Sequence, residues 1–236
     1  MKQVYLAYLL TGFCFVFAAC KKPVDPEPVA GLVAYYDFTK GVKDLSGNNN
    51  TAQIVGANPT TDRFGTTESA YAFDGSSYIE LPPNKFATDE FTYAAWVKLA
   101  YVPQSYDVLT IMDTGNYRGD HAMVLANTTV LGWGMWSYTE DRANFNFAYS
   151  GSLPTNTNQW YHILASRSKN QLNIYINGVL SSSQTMTGKP FYEGTVRTLI
   201  GQRFDGTYSF RGAIDDVRIY NRALSDAEAK RVYALN

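Results

Sequence analysis

From residue 31 onward the chain alternates apolar and polar positions in short runs, separated by clusters of Gly, Asn, Asp, Ser and Pro. Period-two alternation puts successive side chains on opposite faces of a strand. It predicts strands over residues 32–38, 70–74, 78–81, 91–99 and 108–112. The series continues over 122–125, 145–149, 160–166, 172–176, 197–200 and 212–220, each rich in Tyr, Phe, Val, Ile or Thr. Asn177-Gly178, between Leu172-Asn173-Ile174-Tyr175-Ile176 and Val179-Leu180, suits the two left-handed positions of a type I′ turn and predicts a hairpin. One helix is predicted: Ser225-Asp226-Ala227-Glu228 has capping-box spacing and opens the segment from Ala229 to Leu235. About a dozen short strands without long amphipathic helices imply an all-β fold of two packed antiparallel sheets. No repeat of fixed period is present, which argues against a propeller or solenoid.

Within the last predicted strand, strict alternation places Ala213, Asp215, Val217 and Ile219 on one face. A carboxylate in line with core aliphatics is costly unless something compensates it. A hard cation such as calcium would do so, and so would an arginine or backbone amides.

The ends of the chain differ from its body. Lys2 is the only charge before Cys20, and residues 4–19 are almost wholly apolar, the pattern of an export signal. The run is too short and wrongly flanked for a spanning helix. Phe17-Ala18-Ala19-Cys20 resembles the lipobox of bacterial lipoproteins, in which the cut precedes a cysteine that is then lipidated. The expected organisation is therefore a signal over residues 1–19, a lipidated Cys20 opening a proline-rich tether to residue 30, and one domain over 31–236. Location at the outer membrane or cell envelope follows from that expectation, with the membrane reached through the lipid alone. Cys14 would leave with the signal, so a mature domain would hold no disulfide. The formal net charge of -1 gives no sign of a nucleic-acid partner or a basic membrane-binding face.

Several phrases resemble, in order, the bacterial laminin-G-like domains of the concanavalin A-like lectin/glucanase jelly rolls. They are Leu32-Val33-Ala34-Tyr35-Tyr36-Asp37-Phe38, Asp44-Leu45-Ser46-Gly47-Asn48, Ala72-Phe73-Asp74-Gly75 and Tyr93-Ala94-Ala95-Trp96-Val97. Trp160-Tyr161-His162-Ile163, Ile174-Tyr175-Ile176-Asn177-Gly178 and Ile214-Asp215-Asp216-Val217-Arg218-Ile219-Tyr220 complete the set. The resemblance implies a two-sheet jelly-roll sandwich with Trp96 and Trp160 as packing residues. It also implies a structural calcium between the first and last strands, with Asp37, Asp44, Gly47, Asn48 and Asp215 as its ligands. Such folds serve lectins, adhesins and glycan-cleaving enzymes alike, so the fold leaves activity open.

A glucanase of this fold would show closely spaced carboxylates on one strand. Here Glu80 stands alone, while Asp89-Glu90, Glu140-Asp141 and Asp215-Asp216 are adjacent pairs. His121 and His162 have no neighbouring triad or zinc pattern, and His162 alternates with Trp160 and Leu164 as a core residue would. These features point away from catalysis, although a lyase built on Tyr, His and Arg carries no such motif. Aromatic rings stack on the apolar faces of sugars. Trp133 and Trp136 are therefore candidate ligand-binding residues, with Asn116, Arg118, Asp120 and Arg142 on loops nearby. Their spacing of three puts the two tryptophans on opposite strand faces unless a bulge at Gly134 intervenes. The expected function is a non-catalytic, glycan-binding envelope lipoprotein. The alternatives are a protein-binding adhesion module or a glycan-cleaving hydrolase or lyase.

Overall fold

The computed structural model describes residues 28–116, 119–127, 131–138, 145–151, 156–188 and 194–235. The export segment, Cys20 and most of the tether lie outside the described residues, as do Arg118 and Arg142. The strands are β1 (Leu32–Tyr36), β2 (Gln53–Val55), β3 (Asn58–Thr60), β4 (Ala70–Asp74), β5 (Tyr78–Leu81), β6 (Phe91–Leu99), β7 (Val108–Asn116) and β8 (Gly119–Asn127). They continue with β9 (Leu131–Tyr138), β10 (Phe145–Tyr149), β11 (Trp160–Arg167), β12 (Gln171–Ile176), β13 (Val179–Thr185), β14 (Arg197–Ile200) and β15 (Arg211–Tyr220), before helix α1 (Asp226–Ala234).

The strands form two antiparallel sheets. One has the order β13-β12-β11-β6-β15-β4-β3, with β1 also pairing β15, and the other runs β10-β9-β8-β7-β14-β5-β2. This is the two-sheet jelly-roll sandwich. Alternation decides what lies between the layers. Phe91, Tyr93, Ala95, Val97 and Leu99 of β6 face Met123, Leu125, Trp133 and Met135 of β8 and β9 in one buried cluster. Polar contacts also cross the core: Tyr93 donates its hydroxyl to Thr114 Oγ1 at 2.8 Å, and Thr114 meets Thr198 at 3.1 Å.

The outer face of the eight-stranded sheet is covered by α1. Ala94, Leu164, Tyr175 and Tyr220 pack there against Leu224, Ala229 and Val232. The helix begins where its capping box sits, with Glu228 N bonded to Ser225 Oγ and Ser225 N to Glu228 Oε2. Asn177 and Gly178 have φ of 49° and 75°, as the β12–β13 hairpin turn requires.

Two expectations are corrected. Residues 115 and 116 and 119 and 120 are not a loop but the paired ends of β7 and β8. Strict alternation also fails in β15. Ile214 faces the core, and so do Val217 and Ile219, because the register shifts between Asp215 and Arg218, with Asp216 at φ 55°. The bulge turns Asp215 onto the outer face, opposite Trp96.

Candidate functional site

The seven-stranded sheet leaves its outer face uncovered by any helix among the described residues, and a groove of ≈ 330 Å³ lies on it. Small side chains make the floor: Ala122, Val124 and Ala126 of β8 alternate with the core-facing Met123 and Leu125. Val108, Trp136, Tyr138 and Phe147 rise around that floor.

The segment between β14 and β15 supplies the remaining wall. Asp205 accepts the Thr207 amide (3.0 Å) and hydroxyl (2.6 Å), Gly206 has φ 82°, and Arg203 N bonds Thr207 O, which together close a tight turn. Fully buried Asp113 on β7 anchors it by accepting Phe204 N at 2.8 Å, and Arg197 donates to Phe204 O at 3.0 Å. So held, Arg203 stacks 5.8 Å from the Trp136 ring centre and 5.7 Å from that of Tyr208, while pairing with Asp205 at 3.0 Å. Tyr208 meets Trp136 edge-on at 6.0 Å and stays 45% exposed. The result is a concave, ring-lined surface with a guanidinium at its edge, suited to stacking on apolar ligand faces and bonding hydroxyls.

Of the expected ligand residues, Trp136 lies in this groove. Trp133 does not. The β8–β9 and β9–β10 ladders run without a bulge at Gly134, so Trp133 points into the core and packs 5.9 Å from Tyr161 of the other sheet. Asn116 donates to Thr195 O at the far end of β7 from Val108, some eight residues or about 27 Å away. Asp120 is at that same end, opposite Gly115. Arg203, Tyr208, Phe147 and Tyr138 were not singled out from the sequence. The signal available for two of them was the turn-forming Phe204-Asp205-Gly206-Thr207 flanked by Arg203 and Tyr208.

The residues expected around calcium make the following contacts. Asp44 spends both oxygens on its own loop, accepting Tyr35 N and Ser46 N on Oδ1 and Asn50 N on Oδ2 at 2.8–3.0 Å. Burial raises its pKa, but the Asn50, Ser46 and Tyr35 amides outweigh burial and hold it below the usual range. Asp37 accepts from Thr39, Asn48 bonds Leu32 O and Val33 O, and Gly47 is an exposed turn residue at φ 89°. Among the described residues no three His, Cys, Asp or Glu side chains group as metal ligands.

Asp215 is paired with an arginine. Arg63 Nη1 donates to Asp215 Oδ2 at 2.6 Å and Nη2 to Asp216 Oδ2 at 2.8 Å, all three nearly buried, and Arg218 also pairs with Asp216. Burial, then the Asp216 carboxylate, pushes the Asp215 pKa up to about 7 against the pull of Arg63. Arg63 also lies 4.7 Å from the Trp96 ring, which stacks on Tyr233 of α1. His162 is fully buried beside that stack, and burial followed by Arg218 and Arg63 lowers its pKa to about 3. Trp160, expected in the packing, is only half-buried, with Lys98 5.4 Å above its ring.

A larger cavity of ≈ 590 Å³ sits at one end of the sandwich beside Asp89, Glu90, Arg167 and Lys169. Arg167 there donates to Asp89 O and Gly188 O, and no aromatic ring lines it among the described residues.

Residues 73–230 match the family model described as the concanavalin A-like lectin/glucanases superfamily. Solved structures share the fold. Domain 4 of AbnA, a GH43 extracellular arabinanase from Geobacillus stearothermophilus in complex with arabinotriose, is 24% identical with a TM-score of 0.69. The match covers 86% of this chain and 98% of that one. The binding domain of Paraclostridial Mosquitocidal Protein 1 is 17% identical with a TM-score of 0.68, covering 86% of this chain and 52% of that one. The ligand binding domain of botulinum neurotoxin serotype D, in complex with N-acetylneuraminic acid, is 16% identical with a TM-score of 0.65, covering 88% and 52%. The chain therefore spans about half the length of the two toxin domains. No curated protein sequence matches it.

Proposed function

The chain belongs to the concanavalin A-like lectin/glucanases superfamily, and from that premise we propose that it is a glycan-binding module whose site is the groove on the outer face of the seven-stranded sheet. The observation that carries this is the wall of rings, Trp136, Tyr138, Phe147 and Tyr208, around a floor of small side chains, with Arg203 stacked at the edge. Sugars offer flat C–H faces to such rings and hydroxyls to the guanidinium. Two of the similar folds hold sugars, arabinotriose in one and N-acetylneuraminic acid in the other, which supports the choice of ligand class. The module binds without cleaving, and a lipid on Cys20 displays it at the cell envelope. The N-terminal sequence pattern supports that placement.

Affinity electrophoresis in gels cast with xylan, mannan, arabinan, β-glucan or a sialylated glycoprotein tests the binding. At least one polymer is expected to retard the protein, and Trp136→Ala is expected to release it. Unretarded migration through all of them would refute the proposal, as would retardation that Trp136→Ala leaves unchanged. Release of new reducing ends or of unsaturated products would refute the non-catalytic part.

A further inference from the structure

Two glycines on the outer face of β9 have no conformational reason to be there. Gly132 and Gly134 sit in unbroken ladders with β8 and β10, and neither adopts a left-handed φ. Their missing side chains serve their neighbours. A Cβ at Gly134 would stand 2.8 Å from Ala148 O and 2.9 Å from Cε2 and Cζ of Phe147, and one at Gly132 would stand 2.4 Å from Gly151 O and 2.8 Å from Cζ of Tyr149, so backbone and ring both lie close over β9. Both rings thus lie across β9 rather than standing off the sheet. Tyr149 reaches so far over that its hydroxyl donates to Ala126 O on β8, at 3.2 Å. The two ring centres are 5.4 Å apart with planes 31° from parallel, and both rings remain half-exposed.

Further along the same face of β9 come Trp136 and Tyr138, already part of the groove. Four rings therefore follow one strand: Tyr149 over Gly132, Phe147 over Gly134, then Trp136 and Tyr138. Six residue steps of an extended strand span roughly 20 Å. That is longer than a monosaccharide or disaccharide.

We propose that the groove and the Phe147–Tyr149 platform form one stacking stripe along β9, and that it binds several consecutive sugars of a linear polysaccharide rather than a single sugar. The proposal rests on the glycan-binding function above and specifies its ligand class.

Calorimetric titration of the purified protein with xylo-, manno-, arabino- and cello-oligosaccharides, from disaccharide to hexasaccharide, tests it. In the series that binds, affinity should climb with length, roughly tenfold for each newly stacked sugar, and level off once the stripe is filled. Tyr149→Ala and Phe147→Ala should each flatten that climb. Tyr149→Phe, which keeps the ring, should preserve it. Thermal melts of each variant separate loss of fold from loss of binding. Affinity independent of length, or a climb that survives both alanine variants, overturns the stripe while the groove stands as a shorter site. Failure of every series to bind, with the polymers also unbound, overturns the stripe and the glycan site together.

Discussion

Replacing Arg63 with alanine would leave Asp215 on the outer face of β15 with no cation, in a place where its side chain is 4% exposed. Asp216 would keep Arg218, so the loss falls mainly on one carboxylate. Breaking a buried ion pair by deleting one partner costs about 3–5 kcal/mol, because the other charge stays desolvated. Loss of the guanidinium from above the Trp96 ring adds roughly 1 kcal/mol. The expected destabilisation is therefore about 4–6 kcal/mol, read as a lower urea midpoint near pH 8. It should shrink near pH 5. Asp215 already has a raised pKa and, without Arg63, protonates more readily still, so acid removes the stranded charge. Arg63→Ala combined with Asp215→Asn should recover much of the loss, since the pair is coupled. The reasoning is refuted by a loss under about 1 kcal/mol near pH 8. It is equally refuted by a loss that grows on acidification.

Other outcomes follow from the same contacts. Trp133→Ala should cost about 3–5 kcal/mol of stability through an unfilled core, whereas Trp136→Ala, at a ring only 8% exposed beneath Arg203 and Tyr208, should abolish glycan retardation and also lower the melting temperature. Ser225→Ala removes the Ser225 Oγ arm of the α1 capping box, leaving the Ser225 N–H to Glu228 bond, and should cost about 1 kcal/mol in urea unfolding. His162 has a folded pKa near 3, below its unfolded value of about 6.5. Its contribution is thus fully present above about pH 6.5 and is lost as pH falls toward 3. Asp215 works in the opposite sense: its folded pKa is raised, so it favours folding as pH drops from about 7 toward its unfolded value. His162→Gln should shift the acid-unfolding midpoint to lower pH, and Asp215→Asn should reduce the stability lost between pH 5 and 8, both measurable by circular dichroism.

Local signals carried much of the fold. The Asn177-Gly178 turn, the Ser225–Glu228 box and the clean alternation of β6 each express chemistry contained within a few residues, and each appears as expected. The site was legible only where the same locality held. The spacing of Trp133 and Trp136 does put them on opposite faces, but which face is buried depends on the layer opposite. Asp215 was misplaced because one left-handed residue, Asp216, shifts the parity of the strand. Its partner could not be read at all: Arg63 lies 152 positions away, in a segment with no periodicity. Arg203 and Tyr208 reach the groove through a buried contact between Phe204 N and Asp113, which no spacing rule links. Gly132 and Gly134 look like bulge or turn residues in sequence, yet they sit in unbroken ladders where backbone carbonyls and rings of the neighbouring segment approach closely.

The location of a bound sugar bears most directly on the glycan site. A crystal structure of the protein soaked with the oligosaccharide that binds best should show sugar rings stacked on Trp136 and Tyr208, with continuous density running along β9 over Phe147. Sugar seated instead in the cavity beside Arg167, or only on loops away from the seven-stranded sheet, would contradict it.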